Sequence, residues 1–274
     1  MPSRTRGTQR PVSVRAGRPG ALLAVDIGNS ETVVGLFRGS DLAGFWRLTS
    51  GRLTADEVTL HLDILLRREA GAGKAGSLGA VVCSVAPSLT PAWTGALARY
   101  TGRAPLEVDA DTAKDLPIRY HDRRSVGADR IANAIAVRAL YGTPAIVVDL
   151  GTATTFDCIS RSGAYLGGVI APGVGTSAEE LFRRAARLAR VELRRPAHAL
   201  GRSTEESLQA GVLWGHAGQV DALVRRLALE MKGTPGVIAT GGWASIIAPE
   251  CETVNRVDEA LTLKGLRLLW ESAR

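Results

Sequence analysis

The sequence lacks the features that would place it in several large functional classes. No apolar stretch approaches the ~20 residues needed to cross a bilayer. No apolar core follows the basic N-terminal residues, so neither a membrane segment nor a secretion signal is expected. Cysteine is scarce: Cys83, Cys158 and Cys251 are far apart, odd in number and without CxxC spacing. That pattern argues against a zinc site and for reduced thiols in a cytoplasmic protein, with Cys83 and Cys158 inside core strands. No G-x-G-x-x-G follows a strand and no G-x-x-x-x-G-K-[ST] occurs, which leaves dinucleotide-binding and P-loop readings without support. Acid is absent from residues 1–20, which carry Arg4, Arg6, Arg10, Arg15 and Arg18. Subtracting those five charges from the net +7 leaves only +2 for the remaining chain, so nucleic acid is not expected as a partner. This Pro-, Gly-, Ser- and Thr-rich segment has no apolar period and reads as a disordered basic arm.

What is present suits a soluble globular protein of two domains: 274 residues, 45% hydrophobic and 22% charged. Two aspartate-glycine turns each follow a short apolar run. One is Leu22 to Asp26, then Ile27-Gly28-Asn29-Ser30; the other is Ala145 to Asp149, then Leu150-Gly151-Thr152. In both, Gly stands two residues and Thr six residues after the Asp. Such a tip presents one carboxylate, suited to a cation, and backbone N–H groups, suited to phosphate oxygens. A third glycine turn, Thr240-Gly241-Gly242, follows another strand. Paired tips predict a duplicated fold closing on a nucleotide.

Patterning predicts strands at 21–26, 32–38 and 43–49. Thr54-Ala55-Asp56-Glu57 fits a capping box opening a helix with Leu60, Ile64 and Leu65 on one face. A Gly-rich linker (71–79) precedes a strand at 80–84, a helix bearing Trp93, Leu97 and Tyr100, and a strand at 106–108. An alanine-rich helix with Ile131, Ile135 and Val137 stops at Gly142 and Pro144. The second half then restarts with strands at 145–149, 153–160 and 163–170. Further capping boxes appear at Ser177-x-x-Glu180 and Ser203-x-x-Glu206, then a strand at 237–240 and a helix from Leu261 to about Ser272. The apolar run Leu208, Val212, Leu213 and Trp214 fits either an interface or a buried core. Three strands, then helices and further strands, recur in each half. The expected domains are an arm at 1–20, an N-terminal domain at 21–142 and a C-terminal domain at 143–274.

Asp26-Ile-Gly-Asn-Ser, Gly127-Ala-Asp-Arg-Ile-Ala-Asn, Asp149-Leu-Gly-Thr-Ala-Thr-Thr and Gly167-Gly-Val-Ile-Ala-Pro-Gly together resemble type III pantothenate kinases. The likeness continues through Gly201-Arg-Ser-Thr-Glu-Glu-Ser, Ala239-Thr-Gly-Gly and Leu261-Thr-Leu-Lys-Gly-Leu, and so spans 21–274. The resemblance implies an α/β fold of duplicated ribonuclease H-like/actin-like ATPase domains, with mixed sheets and a nucleotide cleft between them. It implies transfer of the ATP γ-phosphoryl to pantothenate, the first step towards coenzyme A. ATP would be held by Asp26, Ile27, Gly28, Asn29, Ser30, Glu31, Thr32, Val33 and Thr152, with Mg²⁺ on Asp26 through water. Asp149 would take a monovalent cation, potassium or ammonium. Asp129 matches the general base. Tyr120, Gly127, Ala128, Arg130 and Thr204 match pantothenate-binding positions, Arg130 either as a carboxylate receptor or as an ion pair fixing Asp129. A homodimer is implied, with part of the pantothenate pocket coming from the second subunit. The chain departs from the family at His121-Asp122-Arg123, where Asp-Asn-Pro is common, and in carrying Ser30 for Thr. His121 reads as an exposed loop residue; His61, His198 and His216 lack ligand spacing. Two rival readings follow from the same relatives: a non-catalytic accessory factor for transcription, and a kinase of the superfold acting on another hydroxylated substrate.

Overall fold

The computed structural model describes residues 20–67, 78–185, 188 and 190–273. The basic arm up to residue 19 and the linker from 71 to 77 lie outside the described residues. The chain runs β1 (Ala21–Ile27), β2 (Glu31–Arg38), β3 (Asp41–Thr49), α1 (Ala55–Arg67), β4 (Leu78–Ser84), α2 (Thr90–Thr101) and β5 (Leu106–Glu107). After a 3-10 turn at Arg123–Ser125 come α3 (Ala128–Leu140), β6 (Ala145–Leu150), β7 (Ala153–Ile159), β8 (Tyr165–Pro172), α4 (Val174–Arg184) and α5 (Thr204–Glu230). The chain then continues with β9 (Gly236–Thr240), α6 (Ala244–Ile247), β10 (Arg256–Val257) and α7 (Leu261–Ser272).

The two five-stranded sheets have one topology. The first is ordered β3-β2-β1-β4-β5 and the second β8-β7-β6-β9-β10. In each, the first three strands form an antiparallel meander and the last two join in parallel. Both β1 and β6 are central strands covered on both faces, which is why they read as unbroken apolar runs. Alternation sorts their side chains: Leu23, Val25 and Ile27 pack under α1 and α2, while Leu22 and Ala24 face α3 and α7. In β6, Ile146, Val148 and Leu150 pack with α4, α5 and α6, while Ala145 and Val147 join the same central core as Leu22. Helices α3 and α7 therefore lie between the sheets. They approach closely, since a Cβ at Gly265 would stand 2.0 Å from the Ala132 carbonyl oxygen.

Most predicted elements appear within a residue or two of their expected ends. Four details differ. On α1 the buried stripe is Val58, Leu62 and Leu66; Leu60 and Ile64 are exposed. Ser177 lies inside α4, whose N-cap is Gly173, so it caps nothing. In the α5 run, Leu208, Val212 and Leu213 are buried within the chain's own core and Trp214 is half-buried, donating to Glu250 Oε2 at 2.8 Å, which removes that run as an interface. Finally, the two hairpins differ by one residue. Asp26 pairs with Val33 but Asp149 with Thr155, so the counterpart of Thr32 is the buried Thr154.

Candidate active site

Strand alternation places both aspartates. Asp26 shares its face with Leu22 and Ala24, and Asp149 shares its face with Ala145 and Val147, so both point towards the layer between the sheets. Asp129 enters the same space from the first turn of α3.

The hairpin tips are built by backbone contacts, and the first of them needs glycine. At the first, Gly28 N donates to the Glu31 carbonyl at 3.0 Å, and a Cβ on Gly28 would lie 2.6 Å from that oxygen. Ser50 closes the tip from β3, its N donating to Ser30 O at 2.9 Å and its Oγ to Gly28 O at 2.7 Å. At the second, Gly151 N donates to Ala153 O at 3.1 Å, and Thr176 Oγ1 donates to Thr152 O at 2.7 Å. The tips touch: Thr152 Oγ1 donates to Ser30 Oγ at 2.8 Å. The third glycine turn joins them, because Gly241 has φ +93° and a Cβ there would lie 2.6 Å from Asp149 Oδ1.

Between the tips lies a groove of about 590 Å³. Asp26, Gly28, Asn29, Ser30, Glu31, Val33, Asp129, Asp149 and Thr152 line it. Ile27 and Thr32 do not: Ile27 is fully buried beneath α2, and Thr32 is buried against Ser50, their Oγ atoms 2.9 Å apart. Tyr120, Gly127, Ala128, Arg130 and Thr204 also lie outside the groove lining. Gly127 is the N-cap of α3 and has no room for a side chain, since a Cβ would be 2.5 Å from Asp129 Oδ1. Tyr120 is partly exposed and packs edge-on against Tyr165, ring centroids 6.3 Å apart. Arg130 is buried, and its Nε donates to Asp157 Oδ1 at 2.7 Å, so its ion pair is with Asp157 rather than Asp129. Thr204 is exposed at the start of α5. The departing segment has a local role: Asp122 Oδ1 accepts from Arg124 N at 3.0 Å, and Arg123 reaches the Ala110 carbonyl.

Sequence reasoning missed several groove residues. Arg47 from β3, Thr176 and Glu179 from α4, and Trp243 after β9 also line it. Two more act from beneath. Cys83 Sγ donates to Asp26 Oδ1 at 3.2 Å, its place fixed by the parallel pairing of β1 with β4. Asn133 Nδ2 donates to Asp149 Oδ2 at 3.1 Å, and Thr262 Oγ1 donates to Asn133 Oδ1 at 2.9 Å. Asn133 belongs to the same quoted motif as Asp129, one helical turn on, and that spacing was the available signal.

Burial pushes Asp26 up to about 7; the neighbouring Asp129 and Asp149 add to this, and the Cys83 hydrogen bond and Arg47 oppose it. Burial and Asp129 likewise raise Asp149 to about 6, against Asn133 and Arg47. Asp129 is also raised by burial, with its own hydrogen bond from Arg130 N working the other way. Such acids favour a cation that replaces the proton. Among the described residues no three of His, Cys, Asp or Glu converge tightly enough to hold a metal alone. A cation here would be shared between one or two carboxylates and the oxygens of phosphate or water, as Mg²⁺ is in nucleotide sites.

A family model described as type III pantothenate kinase matches residues 22–226. The chain is 47% identical over 251 residues to the Type III pantothenate kinase of Moorella thermoacetica, covering 91% of this chain and 98% of the relative. It is 44% identical over 254 residues to the enzyme of the same name from Geobacter sulfurreducens, covering 92% and 99%. Among solved structures it is similar to the activator of the 2-hydroxyisocaproyl-CoA dehydratase from Clostridium difficile with bound ADPNP. There the TM-score is 0.58 at 14% identity, covering 92% of this chain and 95% of that one, a likeness of fold alone. The duplicated sheets are those of the actin-like ATPase fold. Matched along most of its length by both the family model and these relatives, the chain belongs to the type III pantothenate kinase family.

Proposed function

We propose that this protein transfers the γ-phosphoryl group of ATP to the primary hydroxyl of pantothenate, the first step towards coenzyme A. Its relatives at 42–47% identity carry that name, and the observation that carries the residue-level reading is the convergence of Asp26, Asp129 and Asp149 on one groove. The two lobes are 21–142 and 143–274, with ATP between them. Backbone N–H groups of Asn29 and Ser30, on the tip that Gly28 shapes, together with Thr152, hold the phosphates. Asp26 would hold Mg²⁺ through water, where the ion would supply neutralisation of phosphate charge, and Asp149 would take a potassium or ammonium ion.

Asp129 accepts the proton of the pantothenate hydroxyl as that oxygen attacks the γ-phosphorus and ADP departs. Its pKa, raised by burial, supports this role, because a carboxylate of higher pKa takes a proton more readily than an ordinary one. Arg130 offers its guanidinium to the substrate carboxylate, with Tyr120, Gly127 and Ala128 around it. Thr204, exposed and outside the groove lining, serves the pocket of a second copy, which makes the active species a homodimer working in the cytoplasm. Exposed Leu166 and Ile170 on the edge strand β8 support a second copy near Tyr120.

A coupled assay with ATP, Mg²⁺ and pantothenate, with and without potassium, tests the reading. ADP release should require pantothenate and rise with potassium over sodium. ATP consumption that ignores pantothenate would favour another substrate, and none at all would favour the accessory-factor reading. Equal activity in sodium and potassium would remove the cation role of Asp149.

A further inference from the structure

Asp157 is the most deeply buried charged side chain among the described residues, and phosphoryl transfer as outlined gives it no task. It stands on β7, two residues beyond Thr155 and on the same face of the strand, turned towards α3. Its Oδ1 accepts from Arg130 Nε at 2.7 Å and from the Tyr165 hydroxyl at 2.9 Å. Its Oδ2 is buried with no partner among the described residues.

The guanidinium is fixed from several sides. Arg130 Nη2 donates to the Phe156 carbonyl at 3.3 Å, and the guanidinium carbon lies 5.9 Å from the centre of the Tyr165 ring. Gly168 opposite has no space to spare, since a Cβ there would lie 3.1 Å from Nη2 and 1.6 Å from the Phe156 oxygen. The same cluster reaches Tyr120, whose ring leans on Tyr165 and sits 3.3 Å from where a Gly167 Cβ would be.

A buried ion pair is a poor source of stability, because desolvation offsets most of the attraction, and an apolar pair of similar volume often serves as well. An orphaned carboxylate oxygen makes this one poorer still. Its evident consequence is geometric. A bare arginine loses much rotamer freedom when it grips a ligand, whereas this one is ordered beforehand. Arg130 also follows Asp129 directly, and its N–H donates to Asp129 Oδ1 at 2.8 Å, so the base and the guanidinium share one anchor.

Resting on the carboxylate role given to Arg130 above, we propose that Asp157, aided by Tyr165, is a positioning residue for substrate recognition. It locks the Arg130 guanidinium through Nε while the Phe156 carbonyl holds Nη2, so that the remaining nitrogen, Nη1, meets the carboxylate of pantothenate.

The test compares pantothenate with its neutral N-methyl amide in the full-length enzyme, for Asp157→Asn, Tyr165→Phe, Arg130→Gln and the Asp157→Asn/Arg130→Gln pair. Asp157→Asn keeps the shape and removes the charge. It should raise KM for pantothenate about tenfold or more while the KM for ATP stays within about twofold. The amide should be turned over about as well as by the unaltered enzyme, and the double variant should cost no more than Arg130→Gln alone. Equal losses on both substrates, or full additivity in the double variant, would overturn the proposal and leave Asp157 a structural residue. Should Asp157→Asn fail to fold, Tyr165→Phe carries the same test at about threefold amplitude, since it removes one hydrogen bond and keeps the ring. An unchanged pantothenate preference in Tyr165→Phe would then count against positioning. If Arg130→Gln itself keeps the preference for the acid over the amide, the carboxylate role of Arg130 falls and this proposal with it. If only Asp157→Asn keeps it, this proposal alone falls.

Discussion

Asp129 sits where two effects oppose each other. The first turn of α3 offers unpaired N–H groups that favour a carboxylate anion, and Arg130 N already donates to it. Burial works the other way and wins, holding the carboxyl above its ordinary range. The result is an acid readier than usual to accept a proton, held beside Gly127, where any side chain would displace it. Asp129→Asn keeps the shape but cannot take the proton. Turnover should fall by about 10²–10⁴, while ATP affinity, measured by titration calorimetry, should stay within about threefold. Turnover near that of the unaltered enzyme would end the base assignment. At this scale the sequence revealed residues whose place depends on local pattern: Asp26 and Asp149 end apolar strands, and Asp129 belongs to a recognisable motif. Cys83, Asn133 and Arg47 escaped because their contacts depend on pairings between distant segments. Cys83 meets Asp26 only through the register of β1 on β4, and Asn133 is held by Thr262 from the far end of the chain.

Helix boundaries were legible where a cap stood at the true start and misread where the same letters occurred by chance. Thr54 and Glu57 form a reciprocal box, Thr54 N donating to Glu57 Oε2 at 2.7 Å and Glu57 N to Thr54 Oγ1 at 3.3 Å. Ser203 accepts from Glu206 N at 3.1 Å, though Glu206 turns back to Arg202 N instead of Ser203 N. Ser177-x-x-Glu180 has the same spelling, but α4 begins earlier, at the Gly173 cap, and Glu180 pairs with Arg183 and Arg184. Ser203→Ala should therefore cost about 1 kcal/mol of stability, and Ser177→Ala no more than about 0.5 kcal/mol. Urea midpoints at constant slope would measure both, and the reverse order would refute the cap assignments. Helix α1 shows a different limit. Leu60 and Ile64 are spaced for one stripe and Val58, Leu62 and Leu66 for another, and only the sheet beneath chooses between them. The hairpins show a third. Thr32 and Thr155 stand equally far from their aspartates in sequence, yet an extra residue in the first turn puts them on opposite faces: Thr32 is buried and Thr155 lines the groove.

At the scale of the whole molecule, duplication puts two acidic strand ends on facing sheets, and the helix layer between them adds Asp129. Assembling the groove therefore concentrates acid without enough base: Arg47 opposes the rise of both Asp26 and Asp149 and does not cancel it. The ligand-free protein then carries a pH dependence of definite sign. Burial pushes Asp26 up to about 7 and Asp149 to about 6, against 3.8 for an ordinary aspartate. Between about pH 4 and 7 the folded state holds more protons on these groups than the unfolded chain does, so their contribution to stability falls as pH rises through that window. Groups lowered by folding, such as Asp221 with its hydrogen bonds from Glu252 and Thr253, act below the ordinary carboxylate range and do not mask the effect. On the function proposed above, Mg²⁺ and ATP would bind the ionised groove and displace those protons, so affinity should rise by up to about tenfold per pH unit per proton and level off above about pH 7. Melting curves from pH 5 to 8 would then separate. The ligand-free midpoint should drift down with pH, the midpoint with Mg²⁺ and ATP should hold or rise, and Asp26→Asn should flatten the ligand-free slope. A gap between the two curves that stays constant across pH would mean that these carboxylates do not carry the bound cation.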